Sequence, residues 1–188
     1  MGGDGVVIRV PEELTLGEAL QLYLGADEQL LRRLTSLSMA EIDLLVGEAR
    51  RLARPGMARL LADYRVELRE DEWPLAGGRI LNLGECWFEP RRPPRLIVNR
   101  RAIAWFARRM ADSIAAEWFI VPRLTGLVIA HELYHLVTRD ASAHGELGAH
   151  VFARAITSWP FSPLLLAVIA RTPTIGGEFQ PDAQSLDQ

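Results

Sequence analysis

All four histidines of this 188-residue chain fall within one stretch of twenty residues, at positions 131, 135, 144 and 150. Scattered core histidines have no reason to gather so, whereas a metal site does, because imidazole is the commonest protein ligand for such ions. Two of the four belong to the segment Val128-Ile-Ala-His-Glu-Leu-Tyr-His-Leu-Val137, which contains His-Glu-x-x-His. Composition alone predicts only about 0.007 occurrences of that pattern in a chain of this make-up. The spacing has a physical meaning. Four residues advance a helix by about one turn, so His131 and His135 stack on one face and can share an ion. Glu132 sits on the shoulder of that face, beside the ion rather than on it. That is the place for a base acting on water.

A catalytic zinc takes three protein ligands and keeps one position open. The candidates for the third are Glu146, His150 and His144. If two antiparallel helices turn near residues 140–141, His135 lies level with Glu146 and His131 with His150. One register therefore satisfies both pairs, and Glu146 and His150 share a helix face. Register thus leaves Glu146 and His150 both open as the third metal ligand. His144, at the start of the second helix, is the candidate donor to a developing oxyanion.

The elements that must hold these side chains follow from periodicity and punctuation. Helical apolar spacing covers roughly 16–24, 27–35 and 39–54, with capping boxes at Thr15/Glu18 and Ser38/Glu41. Residues 12–63 thus form a helical N-terminal region, broken by Pro55-Gly56. Short strands are expected at Tyr64–Leu68, Arg79–Leu83, Cys86–Phe88 and Arg95–Val98, making a small, mostly antiparallel sheet. Helices are expected over 100–118, from Pro122 to about Val137, over 144–157 and over 163–170. The fold class is α+β: a mainly helical, zincin-like domain with the sheet packed on the His-Glu-x-x-His helix. The expected division is 1–63 as N-terminal region, 64–172 as core and 173–188 as a disordered polar tail.

Composition narrows the function classes. A net charge of −3 gives no global field favouring nucleic acid or acidic membranes. All 21 basic residues are arginine, which excludes Schiff-base lysine chemistry. The cluster Arg91, Arg92, Arg95, Arg100 and Arg101 beside Trp87 and Phe88 reads as a solvated basic face. Cys86 is the only cysteine, which rules out an internal disulfide and suits a reducing compartment. A strand cysteine is usually packing, although it could in principle ligate the metal. No signal-like start or membrane-length apolar run is present, so a cytoplasmic protein is the expectation.

Over about residues 126–154 the chain resembles the gluzincin metallopeptidases. In particular, Glu146-Leu-Gly-Ala-His150-Val-Phe-Ala153 looks like the E-x-x-A-[N/D]-x-F-A signature of the ImmA/IrrE-like zinc peptidases, and Leu96-Ile-Val-Asn99 is similar to their substrate-side strand. The resemblance implies Zn2+ held by His131, His135 and Glu146, with Glu132 as base. It places His150 where that family favours Asn or Asp as an orienter of the first histidine. The expected activity is hydrolysis of a peptide or protein substrate, compatible with a regulatory protein partner. Competing readings are a zinc-fold regulatory or partner-binding protein that does not hydrolyse, and a hydrolase of non-peptide amides.

Overall fold

A computed structural model of the chain describes residues 14–69, 83–88, 91–111 and 115–171. Three helices come first: α1 (Leu16–Leu24), α2 (Asp27–Leu34) and α3 (Met39–Ala53). Both capping boxes close. Thr15 Oγ1 accepts from the Glu18 N–H and Glu18 Oε2 accepts from the Thr15 N–H, and Ser38 and Glu41 repeat the exchange. A short helix, α4 (Met57–Leu61), follows the Pro55-Gly56 break.

The sheet contains β1 (Arg65–Arg69), β2 (Gly84–Trp87) and β3 (Arg95–Asn99) in the order β1-β3-β2. It is mixed rather than mostly antiparallel. β1 runs parallel to β3 from Arg65↔Arg95 to Arg69↔Asn99, and β2 runs antiparallel to it from Gly84↔Val98 to Trp87↔Arg95. The physical reason lies in β3, whose Leu96, Ile97 and Val98 are all fully buried. A strand apolar on both faces belongs in the centre, with neighbours on either side. The strand expected at 79–83 falls, except for Leu83, outside the described residues. So do the lead-in 1–11 and the tail.

Three helices then follow one another closely: α5 (Arg100–Arg109), α6 (Val121–Thr138) and α7 (Ala143–Thr157). α5 is capped by Asn99, whose Oδ1 accepts from the Ala102 N–H at 3.1 Å. It ends well before the expected residue 118. Met110 leaves helical geometry, and 115–118 are turns that deliver Trp118 and Phe119 to Trp159 and Phe161. Aromatic packing of this kind overrides a helical period. The last described element is α8 (Leu164–Arg171).

α6 has apolar residues around most of its circumference, as a buried helix must. Leu124, Leu127, Val128, Ala130, Leu133, Tyr134 and Leu136 are all buried. It packs against α7, α5, β2 and β3, while α3 covers the far side of α7 and α1 meets α8. One hydrophobic core joins Leu20, Tyr23, Ile42 and Val46 to Phe106, Leu133, Phe152 and Val168. The segments 1–63 and 64–172 share this core wherever they are described. No described helix is long and apolar enough to cross a membrane.

Candidate metal centre

The centre is built at the turn between α6 and α7. α6 stops at Arg139, which adopts a left-handed conformation (φ 56°) and donates its N–H to the His135 carbonyl at 2.8 Å. Asp140 then accepts from the Ser142 N–H through Oδ1 at 2.9 Å. Ser142 in turn caps α7, its Oγ accepting from the Gly145 N–H at 3.1 Å. The turn is tight enough to dictate residue 145. A Cβ there would lie 2.5 Å from the Asp140 carbonyl oxygen and 2.9 Å from its carbon, so only glycine fits. Two helices joined this way must run antiparallel with one register.

That register brings His131, His135 and Glu146 together. Their ligand atoms all lie within 4.8 Å of one another, and the three residues could hold a metal ion. Glu146 Oε2 is 3.3 Å from His131 Nε2, Glu146 Oε1 is 3.4 Å from His135 Nε2, and the two Nε2 atoms are 3.3 Å apart. His135 is buried, and its Nδ1 lies 2.6 Å from the Asp140 carbonyl oxygen. A carbonyl only accepts, so Nδ1 carries the proton. In the neutral ring the Nε2 lone pair then points at a carboxylate and a second imidazole. Two imidazole nitrogens and a carboxylate converging at 3.3 to 3.4 Å are an arrangement a cation satisfies. The His131 imidazole against Glu146 holds its carboxyl below the usual range, which keeps it anionic.

His150 stands beside this cluster rather than in it. Its ring lies against that of His131, with centroids 4.7 Å apart, and its Nδ1 is buried with no hydrogen-bond partner among the described residues. Burial, with His131 and His135 nearby, drives its pKa well below the ordinary value, so it is a neutral imidazole at physiological pH. His144 is not brought to the cleft. It is exposed on the first turn of α7, where its charge is felt by Glu41 and Asp140. Tyr134 packs, its ring 5.6 Å from that of Phe152.

Glu132 faces β2. A Cβ on Gly84 would lie 2.7 Å from Val128 Cγ1 and 3.1 Å from Glu132 Cγ, so the glycine lets the strand press onto α6 at the site. Two residues on, the Cys86 thiol reaches the Glu132 carbonyl at 2.9 Å and its Oε2 at 3.4 Å. Burial raises the Glu132 pKa, and the two imidazoles pull against that rise. Burial also raises the Cys86 pKa, reinforced by the Glu132 charge, so the thiol is protonated and donates. The contact between Cys86 and Glu132 was hidden in the sequence, where only the glycine before the cysteine marked a close approach.

A cleft of about 660 Å3 opens over these groups. β2 forms one wall, through Gly84, Glu85 and Cys86, and residues of α5, α6, α7, α8 and the α6–α7 turn also line it. The strand beside the site is therefore β2. The segment 96–99, expected on the substrate side, is the buried centre of the sheet. Compared with known proteins, the chain matches no family model, no curated protein and no solved structure.

Proposed function

We propose that this chain is a zinc-dependent metallopeptidase. The observation that carries the reading is the convergence of His131, His135 and Glu146 in a cleft that also contains the half-buried Glu132. Two imidazoles and a carboxylate are a usual catalytic zinc set. The spacing agrees as well: two nitrogens bonded tetrahedrally to zinc at about 2.05 Å lie about 3.3 Å apart, and the two Nε2 atoms are separated by 3.3 Å. Zinc bound there supplies Lewis acidity, polarising a carbonyl and easing the ionisation of water near neutral pH.

The chain's own groups do the rest. Glu132 takes a proton from the attacking water and returns it to the leaving amine. Its raised pKa brings the acid and base forms closer in energy near neutrality, which such a shuttle needs. The Cys86 thiol, donating to the carboxylate, holds that side chain toward the cleft. β2 is an edge strand of the described sheet and lines the cleft, so an extended substrate can lie beside it.

The test is Glu132→Gln on the zinc-loaded chain, assayed with a mixture of quenched fluorescent peptides. Zinc stoichiometry stays at the wild-type level, and hydrolysis falls by about 10²- to 10⁴-fold. If the loaded wild-type chain cleaves none of the mixture and its biological role survives Glu132→Gln, the peptidase reading fails and a non-hydrolytic zinc protein replaces it.

A further inference from the structure

The cleft is two-sided in chemistry, and α6 shows the division. Leu127 and Val128 line it one helical turn before His131 and Glu132, and His135 follows a turn later. Along this face the helix passes from hydrocarbon to ligands within about 5–6 Å. Phe106 of α5, Pro163 and Leu166 of α8 add apolar lining to the same cleft, all three buried. The charged residues of the lining lie elsewhere. Glu132, Arg139, Asp140 and Glu146 belong to the metal end and the α6–α7 turn, and Glu85 belongs to β2, where it accepts from the Trp87 indole. Phe88 also lines the cleft, yet it is 50 % exposed, a large apolar side chain left in water.

We propose that the Leu127 and Val128 end of the cleft is a specificity pocket for a bulky apolar side chain, such as Phe or Leu, carried by a peptide next to the bond that is cut. This rests on the peptidase reading for the bond but on the cavity alone for the side chain. An extended peptide advances about 3.3 Å per residue, so a pocket one helical turn from His131 receives a side chain one or two residues from the reacting carbonyl. A charged side chain entering it would lose its water against Leu127, Val128 and their apolar neighbours. Phe88 closes over the occupant and gains the burial it lacks in the free chain. Phe106, Pro163 and Leu166 lie outside segment 126–154, so the pocket is a property of this chain and not of its metal-binding motif.

Binding, rather than turnover, tests this. The zinc-loaded Glu132→Gln chain is titrated calorimetrically with acetylated peptide amides of sequence Ala-Ala-Xaa-Ala-Ala, where Xaa is Phe, Leu, Gly or Asp. Phe and Leu peptides bind about ten- to a hundredfold tighter than Gly and Asp peptides, the range expected for burying such side chains. Ala167→Trp, which narrows the cleft from its α8 wall, abolishes the preference. Phe88→Ala, at an exposed position with little bearing on folding, weakens Phe and Leu binding and leaves Asp binding unchanged. Equal affinity for Phe and Asp, a preference untouched by both substitutions, or no binding at all overturns the pocket. A preference without hydrolysis by the wild-type chain sinks the peptidase reading and leaves the pocket standing, and hydrolysis without the preference does the reverse.

Discussion

At the scale of single residues, the centre depends on which atoms are left with lone pairs. His135 donates through Nδ1 to the Asp140 carbonyl, so its Nε2 is committed to the cluster before any ion arrives. Glu146 contributes an oxygen to each histidine and His150 contributes none. Removing a ligand and removing a neighbour therefore differ in size. Glu146→Ala should lower zinc affinity by more than the 10- to 100-fold typical of an outer partner, and His150→Ala by about tenfold or less. Competition with a chromogenic chelator measures both. Loss of zinc in His150→Ala alone would reassign the third ligand. Sequence pointed to Glu146 by helix register and motif. It pointed to His144 only by proximity in the chain, and helix geometry shows why that failed. Residues 144 and 146 are about 200° apart around α7, so the face that aims Glu146 into the cleft turns His144 away.

At the scale of elements, the α6–α7 turn sets the register on which the site depends. Its link is the Asp140 carboxylate, held below its ordinary pKa mainly by the hydrogen bond from Ser142. A carboxylate with a lowered folded pKa contributes stability that is fully present above the unfolded value, about 3.9. That contribution disappears as pH falls through the folded value. The metal-free chain and its Asp140→Ala variant should thus differ in Tm at pH 6 and still at about pH 4, and converge only as pH falls further, through the lowered folded value. A constant gap across that range would show that the carboxylate's charge is not what the turn uses. The hairpin was legible because its signals are local: helical period on both sides and a short polar link near residues 140–141. The walls of the cleft were not. β2 meets α6 across 46 residues of chain, from Cys86 to Glu132, and α8 joins the lining from further along the chain. No sequence period announces such contacts. The parallel pairing of β1 with β3 escaped for the same reason, although the three consecutive buried residues of β3 carried its mark.

At the scale of the whole molecule, Arg154 ties the α1–α2 junction and the segment after α7 to α7 itself. Its guanidinium donates to the carbonyls of Leu24, Gly25, Trp159 and Pro160 and to Asp27 Oδ1, at 2.6 to 3.3 Å. Asp27 is itself buried, and Arg50 is its only other cation within salt-bridge range among the described residues, at 3.7 Å. Taking away one partner of such a pair leaves an uncompensated charge, so Arg154→Ala should cost about 3 kcal/mol of stability. Arg154→Lys should not restore it, because an ammonium cannot reach the same fan of acceptors. The sign with pH follows from Asp27, whose pKa burial raises despite the neighbouring arginines. A raised carboxyl opposes folding while ionised and stops opposing it once protonated. The Arg154→Ala deficit should therefore be largest at neutral pH and shrink as pH falls through the Asp27 value. Urea titrations at several pH values would show it. Zinc affinity of the folded variant should hold, because Arg154 lies eight residues, about 12 Å, along α7 from Glu146. If affinity falls together with stability, the clamp at the far end of α7 also sets the ligand geometry, and the N-terminal helices are part of the metal centre's support rather than only its cover.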